Sequence, residues 1–424
     1  MNAHRSCGLH RLVALWAFCV LSAAWAAPAF AEGARLSVGG GDDAVSIIVV
    51  KGTPYEMGYA FGYLKREEAR PLLARYLELA RTLGDRYTNE TLDAAWNAIA
   101  PHTDERFKEE MRGLAAGCGM PLQDVIRAHM IPVVSDYACS GVAAWGDATV
   151  NGHLYQLRNL DFTTEAGLQD HPAIVVYLPK EGIPHANVTF AGYVGCHTGI
   201  NAKGVVLGEK GETPARDYPF DLNGTHFSTL YRTILYDAGS LTDALEIVRR
   251  ARLIKKYYFY FGDGREKKAA KIKVLSPEAR IWFDDDPADE LQPNVFQHII
   301  YHTMDNDTAY AQLKEQYGKH DHTTFIKLSK ACASKRGNLV NVVYDATALD
   351  LWVAYALGPD DAATRPYVPV KLNEYFQFDF DAARQSGAVS AVVGSPPRTF
   401  PMILAGVAAI CVVAVVVYLI RRRQ

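Results

Sequence analysis

The stretch Cys139–Phe162, CSGVAAWGDATVNGHLYQLRNLDF, carries a thiol at its head and an Arg-Asn-Leu-Asp cluster at its end. Ser140–Trp145 is small and apolar, and Asn151-Gly152, closing the segment Asp147–Gly152, is a strong hairpin-turn signal. The stretch therefore reads as strand, turn and second strand. Side chains alternate along a regular strand, which sends Arg158 and Asp161 to opposite faces. They converge on one site only if the strand kinks or ends near Asn159.

Upstream, Glu32–Asp43 is Gly-rich and reads as a loose lead, and Ala44–Val50 is a short apolar run of the kind that forms a buried strand. From Tyr55 to about Thr82, and from Asn89 to about Cys118, the periodicity is helical, with Thr53-Pro54 and Pro101 as punctuation. Pro121–His129 adds a short helix, so residues 32–138 are expected to be mainly helical. Downstream, Ala173–Leu178 and Asn187–Phe190 read as strands. Gly192–Glu209, GYVGCHTGINAKGVVLGE, is glycine-dense, which signals either tight turns or backbone close to a ligand. Phe227–Asp237, Thr242–Arg252, Thr308–Gln316 and Thr323–Ala333 are helical by periodicity. Tyr257–Phe261 and Ala269–Ser276 are strand-like, and Leu339–Tyr344 with Asp350–Tyr355 form a closing hairpin. Helices and strands in alternating blocks fit a layered α+β fold.

A chain of 424 residues with 49% apolar content buries a large core. Its net charge of −3 gives no basic surface for nucleic acid. Arg5 and Arg11, the apolar run Leu12–Ala27 and the small-x-small Ala29-Phe30-Ala31 make residues 1–31 a signal peptide. Phe400–Ile420 is uncharged and long enough to cross a bilayer of about 30 Å, and Arg421–Arg423 follow at once. The expectation is a single transmembrane helix at 400–420, a basic cytoplasmic tail at 421–424, a spacer at 378–399, and a body exported out of the cytoplasm. A sorting signal removed during surface attachment is the other reading of that end. The exported body keeps Cys118, Cys139, Cys196 and Cys332, too few and too scattered for a disulfide scaffold.

A Cys followed by Arg158-Asn159-Leu160-Asp161 resembles the cysteine N-terminal-nucleophile (Ntn) hydrolases, in particular the penicillin acyltransferase-like and acid ceramidase-like enzymes. The opening Gly52-Thr53-Pro54-Tyr55-Glu56-Met57-Gly58-Tyr59, the glycine-rich block and Asn338–Tyr355 are similar to the corresponding stretches of that family. The resemblance implies an αββα four-layer sandwich over residues 139–377, preceded by a helical prosegment at 32–138. It also implies self-cleavage of Ala138–Cys139, after which Cys139 is an N-terminal nucleophile and the two chains stay associated. An N-terminal Cys needs no separate base, because its α-amine, with a pKa of about 8, takes the thiol proton and later protonates the leaving amine.

By the same resemblance Asp161 orients that amine, Arg158 lowers the thiol pKa by its charge, and Glu209 stands where ceramidase-like enzymes place a site glutamate. For the oxyanion the relatives use an Asn, often in Thr-Asn-His. The nearest counterpart here is Asn294-Val295-Phe296-Gln297-His298, which leaves Asn294, Gln297 and, from the glycine-rich block, Asn201 as candidates. The implied reaction cleaves a small-molecule or lipid N-acyl amide through a thioester, by hydrolysis or acyl transfer, with no cofactor. His298, His302, His320 and His322 form no metal-ligand motif and read as solvated histidines, so no metal is expected. Two other readings stand: a surface-binding protein with this fold and weak or no activity, and a thiol enzyme working uncut.

Overall fold

The structure is a computed structural model that describes residues 31–211, 218–385 and 390–394. Sixteen strands are described: β1 Ala31–Val38, β2 Val45–Gly52, β3 Ala138–Gly146, β4 Gly152–Asp161, β5 Pro172–Pro179, β6 His185–Phe190, β7 Thr198–Asn201, β8 Val205–Gly211, β9 Tyr257–Asp263, β10 Lys268–Val274, β11 Ala279–Trp282, β12 Ile299–His302, β13 Asn338–Asp345, β14 Asp350–Tyr355, β15 Val368–Lys371 and β16 Ser390–Gly394. The helices are α1 Pro54–Leu64, α2 Arg66–Thr82, α3 Asn89–Ile99, α4 Glu105–Cys118, α5 Leu122–Val134, α6 Phe227–Asp237, α7 Leu241–Arg250, α8 Asn306–Glu315, α9 His322–Cys332, α10 Leu372–Phe376 and α11 Phe380–Gln385.

The strands form two sheets, ten-stranded in the order β11-β10-β9-β8-β7-β6-β5-β2-β1-β16 and six-stranded in the order β12-β3-β4-β13-β14-β15. The sheets face one another where β3 and β4 cross β8 and β9. Helices α1, α6 and α7 cover the outer face of the larger sheet, and α8 and α9 cover that of the smaller one. This is the expected αββα sandwich. The inner face of the smaller sheet shares one apolar core with the large sheet and its helices, while Val142, Ala144, Leu157 and Val343 on the outer face pack with Phe325 and Leu328 of α9 in a second core.

Three expectations need correction. The segment before Cys139 is mainly helical, as expected, but its lead at Glu32–Asp43 is not loose. The alternating residues Ala34, Leu36 and Val38 belong to strand β1, which pairs antiparallel with β2, and β2 pairs in parallel with β5 from beyond Cys139. The front third thus contributes two strands to the ten-stranded sheet. Second, the spacer at 378–399 includes α11 and β16. Third, the transmembrane helix is not part of the described architecture: no helix among the described residues is long and apolar enough to cross a membrane. The longest, α2, has 17 residues and carries charged residues along its length. The expected span at 400–420, the tail at 421–424 and residues 1–30 of the expected signal lie outside the described residues.

The family-like opening Gly52–Tyr59 has a local physical reason. Thr53 accepts a hydrogen bond from the Glu56 N–H while Glu56 accepts from the Thr53 N–H, a reciprocal cap that starts α1 with Pro54 in its first turn. Gly58 and Gly62 then let α1 lie backbone-to-backbone on Gly113 and Gly117 of α4. A Cβ on Gly58 would sit 2.1 Å from the Glu110 carbonyl oxygen, and one on Gly117 2.2 Å from that of Tyr59.

Candidate active site

β3 and β4 pair in a register that sets Ala138 opposite Asp161, Cys139 opposite Leu160 and Gly141 opposite Arg158. No kink is present near Asn159, so Arg158 and Asp161 do take opposite faces of β4. Both still border Cys139. Arg158 shares the face of the Cys139 side chain, and Asp161 lies across from the backbone of the Ala138–Cys139 bond.

On the inner face, Cys139 is fully buried between the sheets. Arg158 Nη2 donates to Cys139 Sγ at 3.3 Å, and the thiol donates to Glu209 Oε1 at 3.6 Å. Glu209 also accepts from Arg158 Nη2, a buried ion pair joining β4 to β8. Burial pushes the thiol well above the ordinary thiol range; the Arg158 charge opposes this and the Glu209 charge adds to it. Burial likewise raises the Glu209 carboxyl against the pull of Arg158, which makes it a better proton acceptor. Arg158 Nε and Nη1 and Glu209 Oε2 have no partner among the described residues. Two glycines give the layers room: a Cβ on Gly211 would lie 2.3 Å from the Tyr137 carbonyl oxygen, and one on Gly141 2.3 Å from the Tyr260 ring.

On the other face, Asp161 Oδ1 accepts from the Ser334 N–H at 3.1 Å and from Asn338 Nδ2 at 2.9 Å. Its second oxygen, Oδ2, is buried without a partner among the described residues. Burial raises the Asp161 carboxyl to about 6, against these two hydrogen bonds and the Arg158 charge. A bulge between Asn338 and Val340 puts one extra residue, Leu339, into β13 beside Asp161.

An apolar recess adjoins this site. Leu73 and Tyr76 of α2, Leu160, Phe162, Phe190 and Leu339 line it, with Tyr137 and His197 at its wall. A second, open groove runs over Ala138 and Asp161 and shares Tyr137 and Phe162 with the recess.

No family model matches the sequence. The chain is 26% identical over 390 residues to protein dcd1B of Dictyostelium discoideum, covering 82% of this chain and 77% of that one. It is 24% identical over 264 residues to the N-acylethanolamine-hydrolyzing acid amidase of Mus musculus, covering 59% of this chain and 71% of the mouse protein. The solved structure of the Caenorhabditis elegans N-acylethanolamine-hydrolyzing acid amidase ortholog superposes with a TM-score of 0.40 at 17% identity, over 49% of this chain and 93% of that one. The resemblance to the cysteine Ntn hydrolases therefore holds: the acid amidases to which the chain is similar are of that superfamily.

Of the residues the superfamily pattern singles out, Cys139, Arg158, Asp161 and Glu209 come together. Three others do not. Asn201 donates to the Leu235 and Ala238 carbonyls, at 3.3 and 2.8 Å, and its Oδ1 accepts from the Lys203 and Val205 N–H groups. It is a turn residue tying β7 to the end of α6. Asn294 and Gln297 precede β12, whose register starts with Ile299 opposite Ala144. They therefore sit at the far end of β3, about five residues or some 17 Å from Cys139 at strand spacing. The register ends with His302 opposite Gly141, and the Met304 N–H donates to Ser140 Oγ at 3.0 Å. Thr303-Met304 thus lies beside Ser140, on the face of β3 away from the thiol, and brings no side-chain amide.

Sequence reasoning missed Asn338 and Ser334, which hold Asp161, and Tyr137 and His197, which line the recess. For Asn338 a signal existed: an Asn at the head of the apolar run Leu339–Tyr344 goes into the interior and needs a buried partner.

Proposed function

We propose that this chain is an amide hydrolase of the cysteine Ntn type that cleaves itself at Ala138–Cys139 and then hydrolyses N-acyl amides through a thioester on Cys139. The observation that carries this reading is the unpartnered Asp161 Oδ2, buried opposite the Ala138–Cys139 bond while Arg158 and Glu209 flank the thiol on the other face. An orphaned buried carboxylate oxygen is expensive. A new α-ammonium at Cys139 would pair with it.

Self-cleavage runs as follows. The thiol proton passes to Glu209, Sγ attacks the Ala138 carbonyl carbon, and the Cys139 nitrogen leaves with a proton as a free amine. This puts the Ala138 acyl group on sulfur as a thioester. Water hydrolyses the thioester, giving an Ala138 carboxylate and regenerating the thiol.

In turnover the Cys139 α-amine, held by Asp161, takes the thiol proton, and the thiolate beside Arg158 attacks the substrate carbonyl. The amine leaving group takes a proton from the α-ammonium, and water releases the acid. An amine in place of water makes the same enzyme an acyltransferase. Residues 32–138 and 139–377 are then two chains that stay together, a reading supported by β1 and β2 lying within the shared sheet. The basic and apolar lead, residues 1–31, supports export as part of the same proposal.

The test is to incubate the processed protein with a set of N-acyl amides and weigh the Cys139-bearing chain after an acid quench. A mass increase equal to the acyl group, absent in Cys139→Ser, supports the reading. Amide turnover that survives in Cys139→Ala contradicts it.

A further inference from the structure

The recess beside Cys139 is apolar except at one side of its wall. There the His197 ring lies 6.1 Å from the Tyr137 ring, 5.2 Å from Tyr193 and 5.5 Å from Phe227, centroid to centroid. Neither imidazole nitrogen of His197 has a hydrogen-bond partner among the described residues. The Tyr137 hydroxyl, on a side chain only 5% exposed, has none either. Other histidines in this region are satisfied: His129 contacts the Val125 carbonyl and accepts from the Val194 N–H, and His226 bonds Ser228 and Tyr257. Among the described residues His197 is the one histidine that lines the recess, and the Tyr193 hydroxyl beside it is likewise without a hydrogen-bond partner.

A neutral imidazole carries one donor and one acceptor, and a phenol carries a donor. The Tyr137 hydroxyl is buried and unpaired, which is costly, whereas Phe in its place would cost nothing of the kind; the His197 ring is half-buried at the recess wall, where its nitrogens can meet what enters. Burial, with the Arg158 charge nearby, keeps His197 well below its ordinary range, so the ring stays neutral. Two convergent donors in an apolar, aromatic-walled recess fit a single acceptor oxygen on an otherwise apolar group.

Resting on the amidase reading above, we infer that His197, with Tyr137, is a specificity-determining residue. It hydrogen-bonds an oxygen carried on the acyl part of the substrate, so the preferred substrates are amides of oxo-, hydroxy- or ether-substituted acyl groups rather than plain saturated ones. The oxygen is one that the reaction leaves untouched. Its hydrogen bond forms on binding and persists through the thioester.

The experiment uses processed full-length protein and matched pairs of N-acyl amides with one amine and one chain length. The members of a pair differ by a single oxygen, placed in turn along the first few acyl carbons. The readout is the ratio of kcat/KM, oxygenated over plain. The wild type is expected to favour one oxygenated position by about tenfold, the size of one well-made hydrogen bond. His197→Leu should bring that ratio to about one, Tyr137→Phe should lower it in part, and His197→Gln should retain some of it. Cleavage at Ala138–Cys139 in each variant reports that it has folded. A wild-type ratio near one at every position, or a ratio that His197→Leu leaves unchanged, overturns the inference. Absence of hydrolysis across the whole set overturns the amidase reading, and this inference with it.

Discussion

Among the described residues two guanidinium–carboxylate pairs are fully buried, and one of them is at the thiol. Arg232 of α6 donates through Nη2 to both oxygens of Glu110 in α4, at 2.6 and 2.8 Å, and the Tyr236 hydroxyl donates to the same carboxylate at 2.6 Å. The Arg232 guanidinium lies 3.8 Å from the Tyr177 ring centroid. Arg158 and Glu209 are buried to the same degree, and burial raises both glutamates. The difference is what the pair leaves over. Both guanidiniums leave Nε and Nη1 without a hydrogen-bond partner among the described residues, but both Glu110 oxygens are taken, by Arg232 and the Tyr236 hydroxyl, whereas Glu209 Oε2 is left over. At Glu209 the same guanidinium nitrogen is shared with Cys139 Sγ, and the carboxylate faces a thiol proton. A buried ion pair with a raised carboxyl is therefore not by itself a site; an adjacent nucleophile and an unfilled acceptor across the strand are what distinguish one.

The comparison is broken most severely by deleting a partner from the structural pair. Arg232→Met strands a buried carboxylate and is expected to cost about 3–5 kcal/mol in thermal or denaturant unfolding, most of it recovered in the double variant with Glu110→Leu. The folded fraction of either variant should still cleave itself at the wild-type rate. Slowed cleavage there would mean that the two pairs are coupled.

A pH series sharpens the contrast with another buried carboxylate, Asp161, which has no guanidinium partner. Its folded value of about 6 lies above the ordinary Asp value near 3.8. In the uncut Cys139→Ala protein it thus contributes stability that is fully present below about pH 4 and is lost as pH rises through about 6, roughly 3 kcal/mol in all. Asp161→Asn in that background should remove this dependence. In processed wild type the Cys139 α-ammonium stabilises the carboxylate, so the loss between pH 4 and 7 should vanish. Unfolding midpoints across that range test both statements.

Glu209→Gln keeps the shape of the catalytic pair but takes away the proton acceptor. Self-cleavage, followed by the loss of intact chain over time, is expected to slow about a hundredfold. The matching Glu110→Gln should leave that rate alone. The smallest effect is remote from both pairs. Gly117→Ala drives a methyl group into the Tyr59 carbonyl across the α1–α4 contact and should lower stability by about 1–3 kcal/mol, with cleavage of the folded protein unaffected.

The hairpin was legible in the sequence because Asn151-Gly152 fixes a turn between two runs of opposite patterning, and Gly152 does take φ of +69°. Arg158 and Asp161 on opposite faces followed from strand periodicity alone. That both faces serve one bond did not, because it depends on one residue acting through its side chain and the other through the neighbouring backbone. The partners of Asp161 lie some 175 residues away in sequence, and no local pattern announces a long-range register. The same blindness misplaced Asn294 and Gln297, which stand near the right strand but at its wrong end. Strand β1 is hard to see in the sequence because its glycine and charged residues mask a weak alternation. His197 stands in a glycine-rich stretch, and nothing in that segment says that it lines a recess shared with α2, β4 and β13.

The central claim rests on the bond between Ala138 and Cys139. Intact mass and N-terminal sequencing of the purified wild type, beside Cys139→Ala, test it most directly. The account predicts two associated fragments for the wild type, the second beginning Cys-Ser-Gly-Val, and an uncut chain for the variant. A wild type that stays whole through Ala138, or a variant that is cut there equally well, would contradict it.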